Sequence, residues 1–237
     1  MAGHSKWSTI KRKKEKTDAQ RAKIFTKVGR EIAVAVREGG SDPSVNGKLR
    51  DLIAKAKSYN VPNDNIERAV KKAGTDKTDY EAIIYEGYGP SGVAVMVSCL
   101  SDNRNRTAGD LRHYFDKWGG NLGQSGCVGF LFEQKGVIAI EGSFSDDAAM
   151  EFCLECGASD YSVEDESLEL YTEPSELGQV KLAIEQMGKT FLSAELSYLP
   201  TTYVKLDDES IGKMEKLLEL LEDHDDVQDI YHNWETA

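Results

Sequence analysis

From Val137 onward the apolar residues fall into short strand-like runs separated by two amphipathic segments. The spacing predicts strands at Val137 to Ile140, Tyr161 to Val163, Leu168 to Tyr171 and Ala194 to Leu199, with helices at Asp146 to Cys156 and Ser175 to Met187. This βαββαβ order strongly restricts the fold. It is the order of a ferredoxin-like sandwich, in which two helices cover one face of an antiparallel sheet.

The flanking segments are incomplete when taken separately. Upstream, strands are expected at Tyr80 to Tyr85 and Val93 to Leu100, followed by a helix from Arg104 to Trp118 with Leu111, Tyr114, Phe115 and Trp118 facing inward. Val128 to Phe132 is expected to form a hairpin with Val137 to Ile140. Downstream, a strand at Tyr203 to Leu206, a helix at Ser210 to Leu221 and a strand at Val227 to Tyr231 lack partners. Joining the two flanks completes a second module of the same type. Residues 134–200 are therefore expected to be inserted into a domain built from 78–133 plus 201–237, as closely spaced domain termini permit.

Before Gly74 the period is helical. Thr17 or Asp18 can cap a helix reaching about Glu38, with Ile24, Phe25, Val28, Ile32, Ala35 and Val36 along one stripe. A second helix is expected to open at Asp42-Pro43, with Val45, Leu49, Leu52, Ile53 and Ala56 inward. A third follows Pro62, burying Ile66, Ala69, Val70 and Ala73. No such short helix can bury its stripe alone, so residues 1–77 are expected to form a three-helix bundle. The expected fold class is α+β multidomain, this bundle followed by two ferredoxin-like α/β sandwich modules, one inserted in the other.

The formal net charge of -12 conceals a division. Residues 1–77 carry 19 lysines and arginines against 9 acids, whereas residues 78–237 carry 10 against 32. Within the first 30 residues, Lys6, Lys11, Arg12, Lys13, Lys14, Lys16, Arg21, Lys23, Lys27 and Arg30 are opposed only by Glu15 and Asp18. Such a cluster is the electrostatic footprint of phosphate contact, or else a solvated basic face. Lys23, Lys27 and Arg30 share one helix face, away from the apolar stripe.

Several motifs read as structure. Gly87-Tyr88-Gly89-Pro90-Ser91-Gly92 matches GxGxxG but precedes a strand instead of opening a helix, so it is expected to be a turn. The glycines of Gly119 to Gly129 precede no Gly-Lys-Ser or Gly-Lys-Thr; this loop approaches either a partner or its own backbone closely. Cys153 and Cys156 form a CxxC inside a predicted helix, without a second pair at zinc spacing, and are expected to be reduced core thiols. The histidines, His4, His113, His224 and His232, frame no catalytic constellation. Glu222 to Asp229 lacks the spacing of a calcium loop. No enzyme activity, cofactor or metal is expected. Asp102 to Thr107 places Arg104 and Arg106 at a strand-to-helix junction, suited either to phosphate or to a cap with arginines paired to nearby acids. No apolar stretch approaches the roughly 18 residues of a membrane span, and the N-terminus does not read as a secretory signal, so a cytoplasmic location is expected.

The opening Met1-Ala2-Gly3-His4-Ser5-Lys6-Trp7, then Lys23 to Lys27, Asn65 to Ala69, Tyr85 to Pro90, Asp102 to Thr107, and Gly119-Gly120 with Gly126 to Phe132, resemble the YebC/PmpR family. The resemblance covers nearly the whole chain. It implies a helical N-terminal domain, two α/β domains, and a cytoplasmic, non-enzymatic regulator of gene expression. Bacterial members of that family are described as DNA-binding transcriptional regulators. The mitochondrial branch includes the translational activator of cytochrome c oxidase, and other members are linked to stalled ribosomes.

The expected partner is thus nucleic acid, either DNA or rRNA/tRNA, contacted through Lys6, Trp7, Lys11 to Lys14, Lys16, Arg21, Lys23, Lys27 and Arg30. Trp7 would either stack on a base or pack against the bundle. The acidic modules would face away, bind a ribosome or basic proteins, or reach RNA through Arg104 and Arg106.

Overall fold

The computed structural model describes residues 18–75, 78–164 and 166–235, with side chains from residue 22 onward. Helix α1 (Asp18–Gly39) is followed by α2 (Gly47–Ser58) and α3 (Asn63–Ala73). Ile24, Val28, Ile32, Ala35 and Val36 form the buried stripe of α1 and meet Leu49, Ala56 and Ile66 from its neighbours. The 3.6-residue period accounts for this stripe.

Helix α2 begins later than Asp42-Pro43. Residues 42–46 form a turn in which Ser44 N donates to Asp42 Oδ1 at 2.9 Å and Asn46 N to Asp42 O at 2.9 Å. Asn46 is the stronger cap: its Oδ1 accepts from Leu49 N at 3.0 Å, while its Nδ2 donates to the carbonyls of Ala35 and Gly40, both at 2.8 Å. Val45, expected inside, is 79% exposed because it precedes the helix.

The first sheet has strands β1 (Glu81–Tyr88), β2 (Ala94–Ser101), β3 (Asn121–Leu122) and β8 (Val227–His232), in the order β3-β1-β2-β8. Helices α4 (Arg104–Lys117) and α7 (Asp208–Asp223) pack on it. Leu111 and Phe115 meet Met214, Leu217 and Leu221 over Val93, Val95 and Val97. The second sheet is β5-β6-β4-β7, from β4 (Phe132–Glu141), β5 (Asp160–Glu164), β6 (Ser167–Thr172) and β7 (Ser193–Pro200). Helices α5 (Asp146–Cys156) and α6 (Leu177–Gln186) cover one face. All strand pairs in both sheets are antiparallel. The second sheet has ferredoxin-like connectivity. The first has the same spatial arrangement, except that the strand beside β3 comes first in the chain.

Two expected elements are corrected. Val128 to Phe132 is not one arm of a hairpin: a 3-10 turn at Gly129–Leu131 leads directly into β4. Gly136, between the two expected arms, lies within that strand, opposite Thr172 on one side and Leu196 on the other. A Cβ there would come within 2.2 Å of Thr172 Oγ1, so glycine permits close packing. Tyr203 to Leu206 contributes only an isolated parallel bridge, Val204 to Trp234.

The bundle rests on both sheet modules. Lys55 Nζ lies 3.0 Å from Glu31 and 3.3 Å from Glu195 of β7, and Lys181 of α6 pairs with Asp51 at 2.8 Å. Burial alone would push the Lys55 ammonium down, but the carboxylates of Glu31 and Asp229 outweigh it and hold the group well above its ordinary range. Among the described residues, no helix is long and apolar enough to cross a membrane.

Candidate nucleic-acid interface

The polar face of α1 meets the acidic part of the same chain. Lys23 Nζ is 3.0 Å from Asp223 Oδ2, and Lys27 donates to the carbonyl of Glu222 at 2.7 Å. Arg30 donates to the carbonyl of Leu100 at 3.0 Å and to Asp226 Oδ1, with its guanidinium 5.4 Å from the centre of the Tyr80 ring. Their i, i+4, i+7 spacing thus brings three cations onto the end of α7 and the turn after it. Arg21 lies within α1, before this face. Lys6, Trp7, Lys11, Arg12, Lys13, Lys14 and Lys16 lie outside the described residues.

Asp226 is the centre of this joint. Only 2% exposed, it accepts from Arg30, Thr107, Ser101 Oγ at 3.1 Å and Arg106 Nη2 at 3.0 Å. Burial alone would raise its carboxyl, but hydrogen bonds from Arg30, Thr107 and Arg106 hold it well below the usual carboxylate range. Arg106 also pairs with Asp102 at 2.6 Å, and Arg104 with Glu81 at 3.3 Å. Asn103 caps α4 by accepting from Arg106 N at 3.1 Å. The cap and the arginine-acid pairs considered for this segment are therefore both present. The acids that pair with these arginines offset part of the charge they could present to phosphate, although each side chain remains about half exposed or more.

An open cleft of about 560 Å³ adjoins the joint, with Lys23, Arg30, Arg106, Asp110, Tyr114 and His224 in its lining. His224 Nε2 and Asp110 Oδ2 are 3.2 Å apart. Among the described residues, no group of three or more His, Cys, Asp or Glu side chains could hold a metal ion.

The glycine-rich loop is organised by a residue that sequence reasoning missed. Glu86 turns its carboxylate inward from β1 and accepts backbone N–H groups from Gly126 at 2.8 Å, Val128 at 2.8 Å and Gly129 at 2.7 Å. Burial opposes ionisation, but these three donors prevail and lower its pKa. The available signal was an acid directly after the apolar run Ala82 to Tyr85 of a strand, together with an uncharged glycine-rich loop farther along.

Close approach explains two glycines in particular. A Cβ at Gly120 would lie 2.4 Å from Tyr88 O, and one at Gly87 would lie 2.6 Å from Asn121 O. The GxGxxG match is a strand end followed by a 3-10 turn at Pro90–Gly92. Cys99, Cys127, Cys153 and Cys156 are free thiols; burial pushes Cys99 up to about 12 and raises Cys153 and Cys156.

Residues 5–76 match the family model described as the TACO1/YebC protein N-terminal domain, and residues 80–234 that of the TACO1/YebC second and third domain. The chain belongs to the TACO1/YebC family. This TACO1/YebC chain is 55% identical over 239 residues to a "Probable transcriptional regulatory protein" of Acetivibrio thermocellus, covering 99% of each. It is 56% identical over 240 residues to one of the same description from Ruminiclostridium cellulolyticum, covering 99% of this chain and 97% of that one. A crystal structure of a conserved hypothetical protein from Aquifex aeolicus superposes with a TM-score of 0.83 at 46% identity, covering 93% of this TACO1/YebC chain and 92% of that one.

Proposed function

We propose that this protein is a non-enzymatic, nucleic-acid-binding regulator of gene expression. The observation carrying the proposal is the charge division: ten basic residues against two acids in the first 30 positions, followed by modules in which acids outnumber bases 32 to 10. In this reading Lys6, Lys11 to Lys14, Lys16 and Arg21 supply phosphate contacts, and Trp7 supplies an aromatic face. Lys23, Lys27 and Arg30 anchor α1 through their carboxylate and carbonyl partners; Arg106 braces the same joint, while Arg104 pairs with Glu81. The relatives' description as probable transcriptional regulatory proteins supports a regulatory role and favours DNA as target.

A second reading is ribosome association. The acid surplus of residues 78–237 repels a duplex lying alongside, whereas a ribosome presents both rRNA and basic proteins. Sedimentation with ribosomes across a salt series, with competing duplex DNA, separates the readings. Co-sedimentation that excess duplex does not reverse supports translation; tight sequence-dependent duplex binding without ribosome association supports transcription. Absence of binding to ribosomes and to either nucleic acid would refute the proposal.

A further inference from the structure

We propose that Phe130 is a stacking platform for an unpaired nucleobase, an inference that rests on the nucleic-acid reading above. Among the described residues, Phe130 is the most exposed phenylalanine, tyrosine or tryptophan, at 73%. A single exposed apolar side chain is ordinary; its mounting and electrostatic setting distinguish this one.

The ring is carried on a loop restrained at several points. Glu86 binds the N–H groups of Gly126, Val128 and Gly129; Tyr88 Oη donates to Cys127 O at 3.1 Å; and Thr201 donates to Leu131 O through its N at 2.9 Å and its Oγ1 at 3.1 Å. Val128 and Phe132 are buried beneath it against Ala94 and Met96. Phe130 is thus held outward on a packed base, and stacking on it requires little ordering of the loop.

The charge pattern identifies the ligand class. Residues 78–237 contain 32 acids, about one in five, yet the 15 residues from Trp118 to Phe132 contain no charged side chain. The nearby Glu86 charge is buried and met by three N–H donors. This loop is therefore a place in the acidic part where a polyanion can approach with reduced repulsion. An aromatic face there favours a nucleobase, whose π-surface stacks without a particular hydrogen-bond code.

The test measures binding of the full chain to single-stranded RNA and single-stranded DNA of one sequence containing 2-aminopurine, with duplex DNA as the third arm. Phe130→Ala is expected to weaken binding to at least one single strand by roughly five- to 150-fold, reduce the 2-aminopurine fluorescence change and preserve the salt slope. The two single-stranded arms identify the source of the base; duplex binding should not change. Phe130→Trp should preserve single-strand binding, whereas Phe130→Leu should resemble Ala. Unchanged single-strand binding by Phe130→Ala, or full rescue by Leu, overturns the inference while leaving the nucleic-acid reading intact. Absence of binding by the unaltered protein to all three probes and to ribosomes overturns both.

Discussion

Arg30 of α1 and Asp226, just before β8, are hydrogen-bonded across 196 positions of sequence. This contact joins the basic bundle to the acidic first sheet module. Arg106 and Thr107 approach the same carboxylate from α4, so one acid binds groups from two domains.

Removing that acid should be costly. Asp226→Ala leaves Arg30, with its side chain only 16% exposed, facing a site without its counter-charge. Loss of about 3 kcal/mol is expected. Urea unfolding would measure it; an unchanged midpoint and slope would contradict the role assigned to the joint.

Acid should act through the same residue. Because Asp226 has a lowered folded-state pKa, its contribution is present above the unfolded value, about 3.9, and is lost as pH falls below it toward the folded value. Stability of the unaltered chain should therefore fall more steeply below about pH 4 than that of Asp226→Asn. Parallel pH profiles in urea would refute this assignment.

Glu86→Ala should loosen the glycine-rich loop. Three backbone donors lose a buried acceptor, at an expected cost of about 2 to 3 kcal/mol, with faster amide exchange at Gly126, Val128 and Gly129. Exchange unchanged at all three would show that the carboxylate does not restrain the loop.

Charge reversal at Lys11, Arg12, Lys13 and Lys14 should abolish nucleic-acid binding or leave a residual affinity with a flatter salt dependence. Each lost phosphate contact reduces the slope by about one on duplex DNA. Full binding with an unchanged slope would remove this run from the interface.

Cys156→Ala should affect packing rather than metal content. The side chain is buried beside Phe152, Leu168 and Ile184 in the second module's core, and a loss of about 1 kcal/mol is expected. Elemental analysis should find no stoichiometric zinc in the unaltered protein. Zinc at one per chain, lost in the variant, would instead make the thiol a ligand.

The elements visible in the sequence were those with an uninterrupted period. Ile24, Val28, Ile32 and Val36 mark α1 because tertiary packing uses the stripe produced by helical geometry. The expected hairpin of Val128 to Phe132 with Val137 to Ile140 was misleading because β4 runs unbroken through this region, Gly136 lying within it in close contact with Thr172 and Leu177. Val45 was misleading because Asn46 competes successfully for the helix start. Cationic residues on α1 were evident, but the acids meeting Lys23, Lys27 and Arg30 come from the far end of the chain. No local period encodes that pairing. Glu86 was obscured for the same reason: its donors lie 40 to 43 positions away.

The first sheet takes β8 from beyond the entire second module. During synthesis, residues 132–200 can complete their own sheet while the earlier strands still lack their last partner. The bundle must likewise wait for Asp226 before it can form its central attachment. A chain stopped after residue 200 would therefore hold a complete inner sheet beside a first sheet whose β2 edge lacks its partner and is open to pairing with another chain.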